Sequence, residues 1–311
     1  MLLNILFVVI GIALVLWGAD RLTDGAVAVA EKMKMPQIVI GLTVVAMGTS
    51  MPEFSVSLIS ALKGTTDLAV GNIVGSNIFN ALLIVGVSAL VAPMIIQETT
   101  VRKDIPFALV SSTLLLIMCL DGNISRLDAG VLFVMFLIFM YMTLKGAKKQ
   151  GAEQEAAVET RGKKEMAMWL SVVWILVGLI CLIGGSNLFV EGATAVATNL
   201  GVSEAVIGLT IVAGGTSLPE LATSVVSARK GNSGIAIGNA LGSNVFNILA
   251  ILGVTGMITP MTLKGISSFD LSMLVISIIL VWLFSFTKYK IERWEGAVLT
   301  AVFVGYIYIL L

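Results

Sequence analysis

The chain has 311 residues, of which 58% are hydrophobic and 12% are charged, and its formal net charge is zero. Soluble domains carry about 25% charged residues, so this composition, with a mean hydropathy of +1.02, indicates an integral membrane protein. The chain contains no histidine, which excludes Ser-His hydrolysis, His-ligated zinc and His proton relays. The zero net charge gives no sign of nucleic-acid binding.

Polar breaks divide the chain into ten apolar segments, which are candidate membrane spans. They lie near 2–30, 37–62, 68–91, 105–120, 129–144, 168–197, 205–228, 234–258, 267–287 and 295–311. The first segment has no positively charged region or cleavage site before it, so we interpret it as a membrane helix and not a signal peptide. The hydrophilic stretch 145–165 could be a short helix or a disordered linker. Cys119 and Cys181 lie in apolar runs and are interpreted as small buried residues rather than reactive thiols.

The distribution of lysine and arginine predicts the orientation of the chain. If stretch 145–165 is cytoplasmic, fifteen basic residues lie on that side and three, Lys63, Arg126 and Lys264, lie on the other. Arg21, inside the first segment, is left uncounted. The bias places both termini outside the cytoplasm.

The two halves of the chain repeat each other at a separation of 167 residues. Between Gly48 and Asn80, 18 of 33 positions are identical to their partners at 215–247. Because each half holds five segments, an odd number, homologous halves must cross the membrane in opposite directions, as in secondary transporters. We therefore predict an all-α polytopic membrane protein with ten transmembrane helices in two inverted-topology repeats of five. The repeats span 1–144 and 166–311, and the cytoplasmic linker 145–165 joins them.

Each half carries a glutamate directly after a proline inside an apolar segment, in GTSMPEFSVS and in GTSLPELATS. Thr49 and Ser50 precede Glu53 by four and three residues, so the three share one helix face. Pro52 cannot donate a backbone hydrogen bond. We therefore expect a broken helix in which carbonyls around Ala46 to Gly48 leave the helical ladder and face a cavity or an ion.

The second copy offers equivalent groups, and the next segment of each half adds more. The second copy provides Thr216, Ser217, Glu220 and carbonyls around Ala213, and the following segments add Ser76, Asn80, Ser243 and Asn247. The predicted shell contains only oxygen ligands and two carboxylates, which suits hard cations such as Ca²⁺ or Na⁺. Intramembrane glutamates usually mark ion pathways.

Other polar residues in the spans receive structural interpretations. For Asn72, Asn77, Asn239 and Asn244 we favour hydrogen bonds between helices over a role as ligands. Arg21 neighbours Asp20 and Asp24, which favours a local ion pair or a helix-end role for this group, and Asn187 and Glu191 lie at the matching place in the sixth segment.

The paired GTS-x-PE and GN-x-x-GSN-x-x-N stretches resemble the α-repeats of the sodium/calcium exchanger family, in the Ca²⁺/cation antiporter superfamily. The resemblance covers both repeats. Prokaryotic members of that family have ten helices, as expected for this chain. It implies that Glu53 and Glu220 are the central carboxylate ligands. It further implies that the oxygens of Thr49, Ser50, Thr216, Ser217, Ser76, Asn80, Ser243 and Asn247, with the carbonyls of Ala46 and Ala213, complete four clustered Ca²⁺ and Na⁺ sites.

The resemblance also implies an activity, which is electrogenic exchange of Na⁺ for Ca²⁺ by alternating access as the first and sixth helices slide across the rest. Asn247 stands where potassium-dependent relatives carry Asp, so K⁺ co-transport is not expected. We expect no cofactor, no enzymatic activity, and a monomer surrounded by lipid in the inner membrane of a prokaryote. A Ca²⁺/H⁺ antiporter stays an alternative because buried glutamates can carry protons, and a cation channel is a further one.

Overall fold

The computed structural model describes residues 1–155, 166–201, 211, 213–263 and 265–310. Helices make up most of this part of the chain. They are α1 (Leu2–Lys32), α2 (Gln37–Thr49), α3 (Met51–Leu62), α4 (Thr66–Val91), α5 (Thr100–Asp121), α6 (Arg126–Glu155), α7 (Met168–Asn199), α8 (Ala213–Thr216), α9 (Leu218–Arg229), α10 (Ser233–Ile258), α11 (Ser268–Ser285) and α12 (Arg293–Leu310).

Within the described residues, eight helices are long and apolar enough to cross a membrane, and α2 with α3 forms a ninth candidate span bent by 47°. The chain is therefore a multi-pass membrane protein. The predicted segment 205–228 lies partly outside the described residues, and its described part comprises α8 and α9. Helix α6 continues to Glu155, past the boundary predicted at 144, and the rest of the linker lies outside the described ranges.

The described chain is all-helical as predicted, apart from four two-residue strands between the helices that the sequence did not predict. These strands are β1 (Met94–Ile95), β2 (Asn123–Ile124), β3 (Met261–Thr262) and β4 (Lys290–Ile291). Strand β1 pairs antiparallel with β4, and β2 pairs antiparallel with β3. The pairing satisfies backbone groups where the chain leaves a helix, and two residues are too few to produce an alternating pattern in the sequence.

Matching elements of the two halves stay 167 residues apart along almost the whole chain. Helices α4 and α10 begin at Thr66 and Ser233, α6 and α12 begin at Arg126 and Arg293, and β1 and β3 begin at Met94 and Met261. Each strand pair takes one strand from each half. The sequence repeat is therefore also a repeat of structure, and it extends to α12.

Helices α4 and α10 are the most buried spans, and glycines allow neighbouring backbones to approach them. A Cβ atom on Gly242 would lie 2.7 Å from the carbonyl oxygen of Leu42, and one on Gly238 would lie 2.7 Å from that of Ile38. Each of α4 and α10 has a π-helical turn in its middle, at Phe79–Ile84 and Phe246–Ile251. Such turns often occur at functional sites.

Helices α1 and α7 pack against each other in antiparallel directions. A Cβ atom on Gly11 would lie 2.7 Å from the carbonyl oxygen of Gly185, and one on Gly18 would lie 2.8 Å from that of Gly178. As the residue number rises in α1, it falls in the facing part of α7. Close contact between small residues is the usual way in which membrane helices associate.

Candidate functional site

Two buried glutamates lie in the first turns of two short helices, Glu53 in α3 and Glu220 in α9. Each follows a proline, which fits the start of a helix because its missing N–H would have no intrahelical partner there. The free N–H groups of a helix start also favour a negative charge nearby. Both side chains are only 1% exposed. The fold thus places two potential negative charges inside the protein.

Each glutamate accepts a hydrogen bond from a serine of the other half. The hydroxyl of Ser50 donates to Oε1 of Glu220 at 3.0 Å, and the hydroxyl of Ser217 donates to Oε1 of Glu53 at 3.0 Å. From the sequence, Ser50 was placed on the helix face of its own Glu53. The structure instead bonds it to the opposite carboxylate, because the helix breaks at Ser50, whose backbone angles are φ −83° and ψ 9°.

Several polar side-chain atoms of this pair, and of the helices packed against it, are buried without a hydrogen-bond partner among the described residues. These atoms are Oε2 of Glu53, Oε2 of Glu220, Oγ of Ser243, Oδ1 of Asn247 and both amide atoms of Asn80. An unsatisfied buried polar atom costs about 1–3 kcal/mol. Such a set is expected where a ligand completes the bonding, so this cluster is the candidate site.

The predicted residues of α4 and α10 enter the site to different extents. The hydroxyl of Ser76 lies 3.2 Å from that of Ser217, which links α4 to the Glu53 carboxylate. Asn80 and Asn247 occupy the second position of the two π-helical turns. The Asn247 amide donates to Oδ1 of Asn77 at 3.0 Å. This bond turns the Asn247 nitrogen to Asn77 and leaves the amide oxygen free to accept.

The expectation that carbonyls around Ala46 to Gly48 leave the helical ladder is wrong for Ala46 in this conformation. It accepts the N–H of Ser50 at 3.1 Å and the hydroxyl of Thr49 at 3.3 Å. Pro52 removes the donor for the carbonyl four residues earlier, which belongs to Gly48, so the break falls after Ala46. In the second half, Ala213 begins α8, and the half-buried Thr216 ends it.

Three of the four asparagines interpreted as links between helices make such bonds, whereas neither amide atom of the fourth, Asn244, has a hydrogen-bond partner among the described residues. The Asn72 amide donates to the backbone oxygen of Glu53 at 3.3 Å, and the Asn239 amide donates to that of Glu220 at 3.1 Å. The Asn77 amide donates to the backbone oxygen of Asn244 at 3.3 Å. Their contact with the glutamate segments was not foreseen. The constant spacing of GTS-x-PE and GN-x-x-GSN in both halves was the available signal.

The acidic residues of α1 form an ion-pair cluster that reaches further than the local pair predicted. Arg21 lies 2.7 Å from Asp20 and 3.9 Å from Asp24. Lys230, which follows α9 in the other half, lies 2.5 Å from Asp20 and 2.7 Å from Asp24. The guanidinium also lies 5.1 Å from the ring centre of Trp174. The contact with Lys230 could not be predicted from the sequence, because Asp24 and Lys230 are 206 residues apart.

The chemistry of the site is that of hard oxygen ligands. Its two carboxylates, four or more hydroxyls and amide oxygens suit Ca²⁺ or Na⁺ better than soft metals. Within the described ranges, no group of three or more His, Cys, Asp or Glu side chains could hold a metal ion. The candidate site therefore contains only two carboxylates, and its other candidate ligands are neutral oxygens.

Comparisons with known proteins agree with this chemistry. The family model "Sodium/calcium exchanger protein" matches residues 3–145 and 170–311. The putative antiporter CaxA of Alkalimonas amylolytica is 36% identical, with 100% of this chain and 99% of the relative covered. The sodium/calcium exchanger MaX1 of Methanosarcina acetivorans is 31% identical, with 99% and 98% covered.

Solved structures show the same similarity. The sodium-calcium exchanger NCX_Mj, soaked with zero Na⁺ and Ca²⁺, matches with a TM-score of 0.87 and 30% identity, covering 100% of this chain and 99% of that one. The family model covers nearly all of both halves, and the relatives align over their full length. The chain therefore belongs to the sodium/calcium exchanger family, as a prokaryotic member.

Proposed function

We propose that the protein is a secondary active antiporter that exchanges Na⁺ for Ca²⁺ by alternating access. The observation that carries this proposal is the pair of buried glutamates, each bonded by a serine of the opposite half and each with one oxygen that has no partner among the described residues. Two ionised carboxylates carry a charge of −2, which one Ca²⁺ balances. The similarity to sodium/calcium exchangers supports the choice of ions.

The proposed ligands of the transported ions come from both halves of the chain. They are Glu53, Glu220, Thr49, Ser50, Thr216, Ser217, Ser76, Asn80, Ser243 and Asn247, with the backbone carbonyls of Ala46 and Ala213. The Ala46 carbonyl would join only when the Thr49 hydroxyl turns away from it, since it already accepts two hydrogen bonds. No resident cofactor enters the proposal, and Ca²⁺ and Na⁺ are substrates.

We infer that the two halves are inverted repeats of five transmembrane helices. Helices α1 and α7 occupy matching positions, 167 residues apart, and pack in antiparallel directions. Equivalent helices that run in opposite directions support opposite orientations of the halves in the membrane. With the bias of basic residues, this proposal puts both termini outside the cytoplasm of a prokaryotic inner membrane, with the protein acting as a monomer in lipid.

The charge of the site explains why exchange would be obligatory. Two carboxylates in a low-dielectric site are poorly solvated and repel each other. Moving the empty site across the membrane is therefore unfavourable, and Ca²⁺ or a set of Na⁺ ions removes the charge. Asn247 adds no charge, which supports independence from K⁺. Electrogenic exchange would couple each net charge to about 2.3 kcal/mol per 100 mV.

Purified protein in liposomes tests the proposal. An outward sodium gradient at fixed pH should drive uptake of radioactive calcium, and a membrane potential imposed with valinomycin should change its rate. Calcium uptake driven by a pH gradient without sodium would indicate a Ca²⁺/H⁺ antiporter instead. Uptake that persists with no counter-ion would indicate a channel. Uptake that is unchanged when K⁺ is replaced by choline at zero imposed potential would agree with K⁺ independence.

A further inference from the structure

Asn239 joins the two halves at the edge of the candidate site through one buried amide. Its side chain is fully buried in α10. Oδ1 accepts the hydroxyl of Thr49 at 3.0 Å, and Nδ2 donates to the backbone oxygen of Glu220 at 3.1 Å and to the hydroxyl of Ser224 at 2.9 Å. One residue of the second half therefore contacts a proposed ligand from each half.

The bonding partners fix which way round the Asn239 amide lies. A backbone carbonyl can only accept a hydrogen bond, so the group facing Glu220 O must be the NH₂ group. The other end of the amide, Oδ1, then faces Thr49 and can only accept. The network therefore fixes the orientation of the amide, and the Thr49 hydroxyl must act as the donor.

This assignment matters because a hydroxyl that binds a cation has to point its hydrogen away from the ion. With its hydrogen committed to Asn239, or shared with the Ala46 carbonyl at 3.3 Å, Thr49 keeps its lone pairs available. At the same time, the NH₂ group of Asn239 holds the first turn of α9 through the backbone of Glu220. Asn239 thus orients the hydroxyl of Thr49 and also holds the helical turn that carries the Glu220 carboxylate.

We propose that Asn239 is a positioning residue of the cation site, which orients Thr49 as a ligand and fixes the backbone that carries Glu220. This inference rests on the proposed function of that site. Its counterpart Asn72 makes the matching bonds to the Glu53 backbone at 3.3 Å and to Ser57 at 3.0 Å. The bonds of Asn239 are shorter, and Asn72 is only half-buried.

A double-mutant cycle with Thr49→Val and Asn239→Ala tests the proposal. The measurements are the KM for Ca²⁺ and the maximal rate of sodium-driven uptake, with the melting temperature in parallel. We expect each single variant to raise KM by about fivefold or more, the effect of losing one hydrogen bond. The double variant should raise KM by less than the product of the two single effects, because without Asn239 the misoriented Thr49 hydroxyl contributes less as a ligand and less is lost with it.

Two matched variants serve as controls. Thr43 lies in the same helix as Thr49, but its hydroxyl donates only along that helix, to Val39 O at 2.7 Å. Asn232 accepts a hydrogen bond from Gln37 of the other half at 3.3 Å, outside the group of residues that bonds the glutamates. Thr43→Val and Asn232→Ala should leave KM unchanged.

Asn239→Asp provides a second measurement should Asn239→Ala fail to fold. It keeps an acceptor for Thr49 and removes the two donated bonds, so Thr49→Val should still raise KM in this background. Effects that multiply in the Ala cycle, or a lower melting temperature with unchanged KM, would overturn the positioning role. If wild-type protein shows no sodium-driven uptake, the proposed function fails, and the same cycle is then measured by Ca²⁺-binding calorimetry.

Discussion

The two halves contribute equally to the carboxylates of the site but unequally to its asparagines. The bonds Ser50–Glu220 and Ser217–Glu53 are both 3.0 Å long. In contrast, Asn247 donates to Asn77 at 3.0 Å, whereas both amide atoms of its counterpart Asn80 have no partner within the described ranges. The charged part of the site therefore keeps the symmetry of the repeat, and the amide part does not.

This difference separates two tasks. On the proposed function, the glutamate and serine positions, which have matching bonds in the two halves, would bind the divalent ion. Several ions of lower charge need sites of unequal shape, which the asparagines can supply. The comparison predicts equal effects for paired substitutions at the glutamates and serines, and unequal effects where the halves differ.

The largest effect is expected when either glutamate loses its charge. Glu53→Gln and Glu220→Gln should each abolish sodium-driven calcium uptake, because a site with a charge of −1 no longer balances Ca²⁺. Glu295 is a matched control, since it is equally buried but accepts the backbone N–H of Glu292 at 2.7 Å in the first turn of α12. Uptake at the normal rate by Glu53→Gln or Glu220→Gln, or loss of uptake in Glu295→Gln, would contradict the role of Glu53 and Glu220 as the charged ligands.

The next effect concerns the serines that join the halves. Ser50→Ala and Ser217→Ala should weaken calcium binding to a similar degree, about 10- to 100-fold, since hydrogen bonds to charged groups contribute about 1.5–3 kcal/mol. Ser55→Ala, on the same helix as Glu53, removes only a bond to Met51 O and should change nothing. Calcium titrations by calorimetry measure these affinities. A large difference between the two serine variants would break the proposed symmetry.

A smaller effect, on stability, is expected at the contact between α1 and α7. A Cβ atom on Gly178 would lie 2.7 Å from the backbone nitrogen of Leu22, whereas Gly184 has nothing within 4 Å. Gly178→Ala should therefore lower stability by about 1–3 kcal/mol through overpacking, and Gly184→Ala should not. Thermal unfolding in detergent provides the measurement. Equal melting temperatures for the two variants would argue against close packing of these helices.

The smallest effect is expected at the ion-pair cluster, where the halves differ. Lys230 pairs with Asp20 and Asp24, whereas no ion pair is found for its counterpart Lys63 in the described part of the chain. Lys230→Gln should lower stability by no more than about 1 kcal/mol, as for other partly exposed pairs, and Lys63→Gln should have no effect. Melting temperatures at low and high salt measure this difference. A larger loss in Lys63→Gln would contradict it.

The spans and the main polar residues could be predicted from the sequence because their signals are local. Apolar runs give the helices within a few residues, and the repeated GTS-x-PE motif identified Glu53 and Glu220. The bonds between halves could not be predicted, because the pairing of Ser50 with Glu220 depends on how two distant helices cross. The π-helical turns and two-residue strands were also missed, since neither leaves a periodic pattern in the chain.

The error at Ala46 has a similar cause. A proline removes one donor from the ladder, and the sequence identifies the carbonyl that loses it, Gly48. Whether the neighbouring carbonyls also turn away depends on other hydrogen-bond donors. Here the hydroxyl of Thr49 and the N–H of Ser50 both donate to the carbonyl oxygen of Ala46. Lys230 was likewise assigned only to the orientation of the chain, because an ion pair across 206 residues has no local signal.

Equilibrium binding of Ca²⁺ to purified protein tests most directly whether the two halves form one site. If both glutamates hold the same ion, calorimetry should find that Glu53→Gln alone and Glu220→Gln alone each weaken every calcium-binding event, with no site left at the wild-type affinity. If instead each half binds its own ion, each single variant should keep binding Ca²⁺ at the wild-type affinity with half the capacity. That result would contradict a shared site.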